Sequence, residues 1–281
     1  MTEINYQLLK EVIHSRPLES HKGNYGRVLT IGGNLNFGGA IIMSSSAAVH
    51  AGAGLVTCAT YRENLSALHT IVPEAMFVDL ANDQQITAAL EQADVIVIGP
   101  GLGESSAAEK IFKKTLTQLQ SRQFLIIDGS ALTILSHHQN WFKRFAKQKI
   151  ILTPHQMEWQ RVSQIPIKKQ TDTRNLAVQQ ELQATVVLKK FGTTIYHLNR
   201  TIAHLNVGGP YMATGGMGDT LTGIIAAFLG QFHQTTYETV VDAAVYTHSA
   251  LAQKLSATNY VVLPSQIIKN LPNFMLSASL V

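Results

Sequence analysis

Cysteine, charge and long apolar runs are all scarce in this chain, and each scarcity excludes something. The single cysteine, Cys58, rules out an intrachain disulfide and any metal site built from clustered thiolates. Its setting, Leu55-Val56-Thr57-Cys58, reads as a strand, so it is expected to be a core thiol. Charged residues make up 14% of the chain, against about 25% in an average soluble domain, which argues against a disordered or heavily solvated polymer. The same deficit fits a compact body with much buried surface, and a homo-oligomer. No apolar run approaches the roughly 18–20 residues of a membrane helix. The first residues, M-T-E-I-N-Y-Q-L-L-K-E, lack the basic and then apolar order of a secretory signal. A cytoplasmic protein without a membrane partner is therefore expected. The formal charge is only +4 and the basic residues form no long tract, so anionic small molecules are the expected partners and nucleic acid is not. None of the eleven histidines lies at H-E-x-x-H or another ligand spacing, so no metal is expected to be held by the protein alone. There is no G-x-x-x-x-G-K-[ST], which excludes a P-loop.

What is present is a recurring alternation. Arg27–Gly32, Leu55–Ala59, Val95–Gly99, Phe124–Asp128, Ile150–Thr153 and Thr185–Leu188 are short runs rich in Val, Ile and Leu. Helix-length stretches such as Gly39–Ala51, Glu104–Gln120 and Asp172–Gln183 lie between them. Strands that are apolar throughout belong on a sheet buried on both faces, and strand–helix alternation predicts a three-layer α/β/α fold around a mostly parallel sheet. Thr193–Leu198 and Thr201–Leu205, parted by Asn199-Arg200, read as a late antiparallel hairpin. Two helices follow, Asp219–Leu229 and Tyr237–Leu255. Without a linker, repeat or low-complexity segment, the chain reads as one domain over residues 1–281.

Glycines gather at the predicted strand ends, where a doubly wound sheet opens its ligand crevice. The first cluster, G-G-N-L-N-F-G-G-A from Gly32 to Ala40, does not match the spacing of a dinucleotide fingerprint. Its Gly38-Gly39-Ala40 can nevertheless open a helix whose free N–H groups face an anion. The second, G-P-G-L-G from Gly99 to Gly103, has little side-chain bulk and allows close approach of a ligand. The third, A-T-G-G-M-G-D-T-L-T-G from Ala213 to Gly223, carries the most information. Backbone N–H groups of Gly215, Gly216, Met217 and Gly218 can form an anion hole at a helix start. A carboxylate beside such a hole repels a stored phosphate. It makes sense if Asp219 takes a proton from a substrate hydroxyl while the glycines hold developing phosphate charge. The plainer alternative is that Asp219 caps its own helix. His155, in L-T-P-H-Q-M-E, faces the same crevice if the sheet is parallel; alone, it reads equally well as a structural residue.

In order, these pieces resemble a known family. H-K-G-N-Y-G-R-V-L-T-I-G-G (His21 to Gly33), G-G-A, A-G-A-G-L-V (Ala51 to Val56) and P-E-A-M (Pro73 to Met76) come first. G-P-G-L-G, L-T-P-H, V-V-L-K (Val186 to Lys189) and the glycine–aspartate motif follow. Together they look like the ADP- or ATP-dependent NAD(P)H-hydrate dehydratases, whose fold is similar to ribokinase. The resemblance implies ADP or ATP as phosphoryl donor with Mg2+, phosphorylation of the C6 hydroxyl of hydrated NADH or NADPH in its S form, and elimination of phosphate. By the same resemblance, Asp219 is the acid/base residue. Ala40, Gly103, His155 and Asp219 contact the hydrated dinucleotide. Lys189, Lys190, Phe191, Gly192, Thr193 and Gly218 hold the nucleotide. The resemblance also implies a tetramer. It implies a separate epimerase as well, since too little chain precedes His21 to hold the epimerase domain found fused in some members.

Two departures from the family pattern stand out. K-G-x-x-T is here Lys189-Lys190-Phe191-Gly192-Thr193, with Lys190 where a glycine is usual. D-A-D-x-L is Asp128-Gly129-Ser130-Ala131-Leu132, without the second carboxylate. Asp128 remains a candidate to act on magnesium or substrate through water, not a catalytic residue. Two other functions fit the same motif. A ribokinase-like small-molecule kinase would use Asp219 in the same way and release a stable phosphoester. A nucleotide sensor would keep the fold but have no need of a proton acceptor.

Overall fold

Strands that are apolar at every position cannot leave one face in water. The computed structural model, which describes residues 2–145 and 148–279, buries them on both faces of a single ten-stranded sheet. In chain order the strands are β1 (Thr2–Ile4), β2 (Arg27–Ile31), β3 (Leu55–Thr60), β4 (Met76–Asp79), β5 (Val95–Ile98), β6 (Phe124–Ile127), β7 (Lys149–Leu152), β8 (Thr185–Leu188), β9 (Thr194–Tyr196) and β10 (Ile202–Leu205). Their order across the sheet is β1-β10-β9-β8-β7-β6-β5-β2-β3-β4. Pairing is parallel except at β8–β9 and β9–β10. The helices are α1 (Gln7–Val12), α2 (Gly38–His50), α3 (Leu65–Ile71), α4 (Asp83–Gln92), α5 (Ser106–Gln118), α6 (Gly129–His137), α7 (Gln156–Ser163), α8 (Asp172–Leu182), α9 (Met217–Gln231), α10 (Tyr237–Ser256) and α11 (Pro264–Ser279). Among the described residues no helix is long and apolar enough to cross a membrane.

Alternation along the strands feeds two cores. Val95 and Val97 of β5 join Val28, Ile126 and Ile151 in a cluster with α1, α2, α9, α10 and α11. Ile96 and Ile98 join Leu29, Leu125 and Leu152 in a second cluster with α4 through α8. The result is the expected three-layer α/β/α arrangement. Cys58 lies fully buried in the first cluster, where burial pushes its thiol up to about 11. Such a thiol stays protonated and inert at neutral pH.

The fold departs from the sequence expectation at its margins. Strand β1 is only three residues and β4 is the opposite edge, so neither shows the buried run that marks the central strands. The hairpin β9–β10 forms as expected, but β9 also turns back on β8, so the antiparallel part begins one strand earlier. Helix α11 carries Pro272 inside it, which hides it from a search for uninterrupted helical pattern.

Helix α9 is held by α2, and this contact aims its N-terminus. A Cβ on Gly223 would strike the carbonyl oxygen of Ser44, so the backbones approach as only glycine permits. Ser44 and Thr222 hydroxyls hydrogen-bond across the same contact at 2.9 Å. At its far end, Gly230 lies against Gly26, just before β2 begins. Helix α9 therefore runs back over the sheet with its N-terminus at the C-terminal ends of the strands.

Candidate active site

The strand order reverses between β2 and β5, the place where an open parallel sheet leaves a crevice. Two glycine-rich loops leave the sheet there and lock together. Gly33 N–H donates to the Pro100 carbonyl at 2.9 Å and Asn34 N–H to that of Gly101 at 2.6 Å. The Gly103 N–H donates to Ser130 Oγ at 3.0 Å. Ser130, standing where the family pattern has its second carboxylate, thus ties the β5 loop to the start of α6.

Beside these loops the ends of β6 and β8 bring two opposite charges together. Asp128, buried at the end of β6, accepts a hydrogen bond from Lys189 Nζ at 2.8 Å. Burial alone would lower the Lys189 pKa, but Asp128, Glu158 and Asp219 outweigh it and hold the ammonium above its ordinary value. Gly218 closes the group from above. A Cβ there would lie 2.8 Å from Lys189 Nζ, so a side chain would displace the ammonium.

Helix α9 starts at Met217, so Met217 and Gly218 belong to its first turn and do not precede it. Gly216 is the N-cap, at φ 94°, and offers no side chain to cap the helix. The first N–H to reach back is that of Thr220, which donates to the Gly216 carbonyl at 2.9 Å. The N–H groups of Met217, Gly218 and Asp219 have no carbonyl within the helix, and such a terminus favours an anion. Asp219 makes no cap, which removes the plainer reading of its place in the motif. Burial, with the neighbouring Asp128 carboxylate, pushes its pKa up to about 6, although Lys189 pulls the other way. Asp219 is therefore ionised at neutral pH yet more basic than an ordinary aspartate.

The end of β7 adds a residue that the sequence reading overlooks. His155 caps α7: its Nδ1 accepts from the N–H groups of Met157 and Glu158, each at 3.1 Å, while Glu158 Oε2 accepts from the His155 N–H at 2.7 Å. Burial and the Lys189 charge lower the His155 pKa. With Nδ1 acting as acceptor, the neutral ring carries its proton on Nε2. Glu158 is buried near Lys189 and Asp128, and burial pushes its pKa up to about 7. The signal for Glu158 was its spacing, three residues after the cap, as in a capping box.

Next to this cluster opens a pocket of about 650 Å³, lined by the turn Lys189–Thr193, by Gly208 to Pro210 and by the α9 start. The turn takes its left-handed residue at Gly192, φ 68°, so Lys190 is accommodated where the family's glycine is missing. Phe191 projects from the rim and is exposed. All of Lys189, Lys190, Phe191, Gly192, Thr193, Met217 and Gly218 line this one pocket. Ala40, in the first turn of α2, and Gly103, on the β5 loop, lie at the β2–β5 reversal instead. His155 stands with the first group, although the sequence reading sets it with Ala40 and Gly103. The cause is the adjacency of β7 and β8, which bridges His155 to Lys189 directly.

Glycine identity separates what the fold needs from what it does not. Gly103 has φ 79° and a Cβ there would come within 2.7 Å of Asn34 Nδ2, so Gly103→Val strains the loop before any ligand arrives. Gly39 and Gly215 differ: their φ values are ordinary and a Cβ would meet nothing within 4 Å. Nothing in the chain itself asks for glycine there, whereas a closely approaching ligand would. Gly39→Ala should leave the melting temperature unchanged or slightly higher. If this crevice takes the dinucleotide that the resemblance implies, the same variant should bind NADPH about tenfold more weakly, the scale of an overpacked contact, as titration calorimetry would show. Unchanged affinity would place the ligand elsewhere.

Comparison with known proteins bears on this geometry. The family model described as NAD(P)H-hydrate dehydratase matches residues 28–273. The chain belongs to that family. Among its dehydratase relatives, one from Enterococcus faecalis, named ADP-dependent (S)-NAD(P)H-hydrate dehydratase, is 49% identical over 98% of this chain and 93% of its own. A relative of the same name from Lactiplantibacillus plantarum is also 49% identical, over 98% of this chain and 97% of its own. A crystal structure of a ribokinase-like superfamily protein from Enterococcus faecalis superposes with a TM-score of 0.94 at 46% identity, covering 99% and 96% of the two chains. At 24% identity, the Bacillus subtilis ADP/ATP-dependent NAD(P)H-hydrate dehydratase, co-crystallised with ATP and Mg2+, shares the fold with a TM-score of 0.84 over 99% and 98% of the chains. This dehydratase thus has a ribokinase-like fold.

Proposed function

We propose that this chain repairs nicotinamide cofactors, dehydrating the S form of hydrated NADH or NADPH at the expense of ADP or ATP. The observation that carries the reading is Asp219, a basic carboxylate in the uncapped first turn of α9, facing the Asp128–Lys189 pair. Hydroxide is a poor leaving group and phosphate a good one. Asp219 takes the proton of the C6 hydroxyl as its oxygen attacks the terminal phosphorus of the nucleotide. The P–O bond to the rest of the nucleotide breaks, leaving AMP or ADP. The N–H groups at the α9 start and the Lys189 ammonium bear the charge that gathers on the transferred group. The ring nitrogen lone pair then expels phosphate from C6, and loss of a proton from C5 restores the double bond.

In this reading the pocket flanked by Lys189–Thr193 takes the nucleotide, and the start of α2 (Gly38–Ala40) with the loop carrying Gly103 takes the hydrated dinucleotide. His155 and Asp219 stand at the boundary between them. Asp128 and Glu158 supply hard oxygen donors near Lys189, and no cluster among the described residues is arranged to hold a metal alone. That set fits Mg2+ carried on the nucleotide phosphates. The ion would neutralise phosphate charge, and Asp128 and Glu158 would be the residues to help hold it. The same reading makes the chain a single domain of a cytoplasmic homo-oligomer, with a separate epimerase supplying the S form.

Incubation with hydrated NADH, magnesium and ADP or ATP provides the test. Recovery of reduced-nicotinamide absorbance together with an equal amount of inorganic phosphate is expected. A stable phosphomonoester without absorbance recovery would make the chain a small-molecule kinase instead.

A further inference from the structure

Asn64 closes the short turn Arg62–Asn64 after β3 and belongs to neither the motifs nor the mechanism, yet its amide lies against the first turn of α2. The residue is only 9% exposed. Its Nδ2 donates to the Gly33 carbonyl and to Thr60 Oγ1, each at 2.9 Å, and the Thr60 hydroxyl donates to the same carbonyl at 2.9 Å. A carbonyl oxygen can only accept, so the NH2 must face Gly33 and the orientation of the amide is fixed. Oδ1 is left without a partner among the described residues, and it is not sealed from solvent. It is aimed at Gly38, where a Cβ would strike Oδ1 before any other atom. The space beside it is open: Gly39 is exposed and a Cβ there would meet nothing within 4 Å. The N–H groups of Gly38 and Gly39 lie ahead of the helix's own carbonyls, and Phe37 at the N-cap offers them no side-chain acceptor.

An acceptor held beside a helix start is a poor arrangement for phosphate, whose oxygens it would repel. It suits an uncharged group that accepts from the N–H groups and donates to Oδ1. We propose that Asn64 and the start of α2 hold the carboxamide of the nicotinamide ring, its oxygen accepting from the Gly39 N–H and its NH2 donating to Asn64 Oδ1. The inference rests on the crevice's being the dinucleotide site. The shape of the ring selects the carboxamide over a ribose hydroxyl. The carboxamide stands on C3, directly across the ring from C6, which bears the hydroxyl. Met43, little more than one turn into α2, lies against Gly216, the N-cap of α9: a Cβ on Gly216 would come within 2.5 Å of Met43 Sδ. The starts of α2 and α9 therefore stand side by side. A ring pinned through its carboxamide at α2 turns C6 away from α2 and towards Asp219 on α9, as removal of the hydroxyl proton requires.

Calorimetric titration of NADH and of its reduced 3-acetylpyridine analogue, in which a methyl group replaces the carboxamide NH2, tests the assignment in the wild type, Asn64→Ala and Gly38→Ala. The wild type should bind NADH about tenfold more tightly than the analogue, because the methyl group covers Oδ1 and leaves it unpaired. In both variants that preference should shrink to less than about twofold, since one removes Oδ1 and the other pushes it aside. Asn64→Ala also loses the Nδ2 hydrogen bonds and should melt at a lower temperature. A general loosening weakens both ligands alike, however, and leaves their ratio unchanged. Gly38→Ala keeps every atom of Asn64 and carries the test where Asn64→Ala fails to fold. Equal affinity of the two ligands in the wild type would overturn the inference, as would a preference that survives in either variant. Failure of the wild type to bind either ligand would instead overturn the dinucleotide reading of the crevice.

Discussion

Asp219→Asn should lower turnover by about 10²–10⁴-fold while leaving the fold and nucleotide affinity nearly intact, because it keeps the shape of the side chain and removes only the proton acceptor. The asparagine should, if anything, raise the melting temperature at pH 7. A carboxylate whose pKa is raised to about 6 by burial is held in its less favoured, ionised form at that pH, and a neutral amide avoids that cost. Direction of the pH effect follows from the same value. The wild-type kcat/KM should fall as pH drops through about 6, where Asp219 becomes protonated, and the variant should lose that limb of the profile. Turnover of the variant near the wild-type level would remove Asp219 from the mechanism. A parallel loss of melting temperature would make its role one of folding.

The parts legible in the sequence were those set by local pattern. Uninterrupted runs such as V-I-V-I and F-L-I-I reveal central strands because burial on both faces removes every polar residue from them. The glycine–aspartate motif reveals a helix start for an equally local reason. What stayed hidden depends on residues distant in the chain. That Lys189 would find Asp128, sixty-one positions away, follows only from β6, β7 and β8 lying side by side. The same adjacency puts His155 on the pocket lined by Lys189–Thr193. That His248 of α10 also lines this pocket has no local sign at all, since a histidine in the middle of a breaker-free helix has the same pattern whether it borders core or cavity. The glycines divide similarly. Gly103 and Gly39 look alike in sequence, yet one is required by its backbone and the other has open space where a side chain would stand.

Removal of one member of the Asp128–Lys189 pair should affect stability and function together, and removal of both should separate them. Lys189→Ala leaves the buried Asp128 carboxylate without its counter-ion, a change that typically costs about 3–5 kcal/mol. In a chain of this size that corresponds to a fall in melting temperature of roughly 6–20 °C. The same substitution deletes a charge-assisted contact to phosphate, so ADP affinity should fall by about ten- to a hundredfold, with a smaller loss for NADPH. Asp128→Ala combined with Lys189→Ala removes the unpaired charge and should restore most of the melting temperature, because the pair's own desolvation offsets much of its attraction. It should restore neither ADP affinity nor turnover, since no cation would then stand beneath Gly218 to meet the transferred group. Calorimetric titration and thermal melts on the two single variants and the double variant separate these effects. If the double variant regained ADP affinity along with its stability, Lys189 would be serving the fold alone, and the charge on the phosphoryl group would fall to the N–H groups at the start of α9.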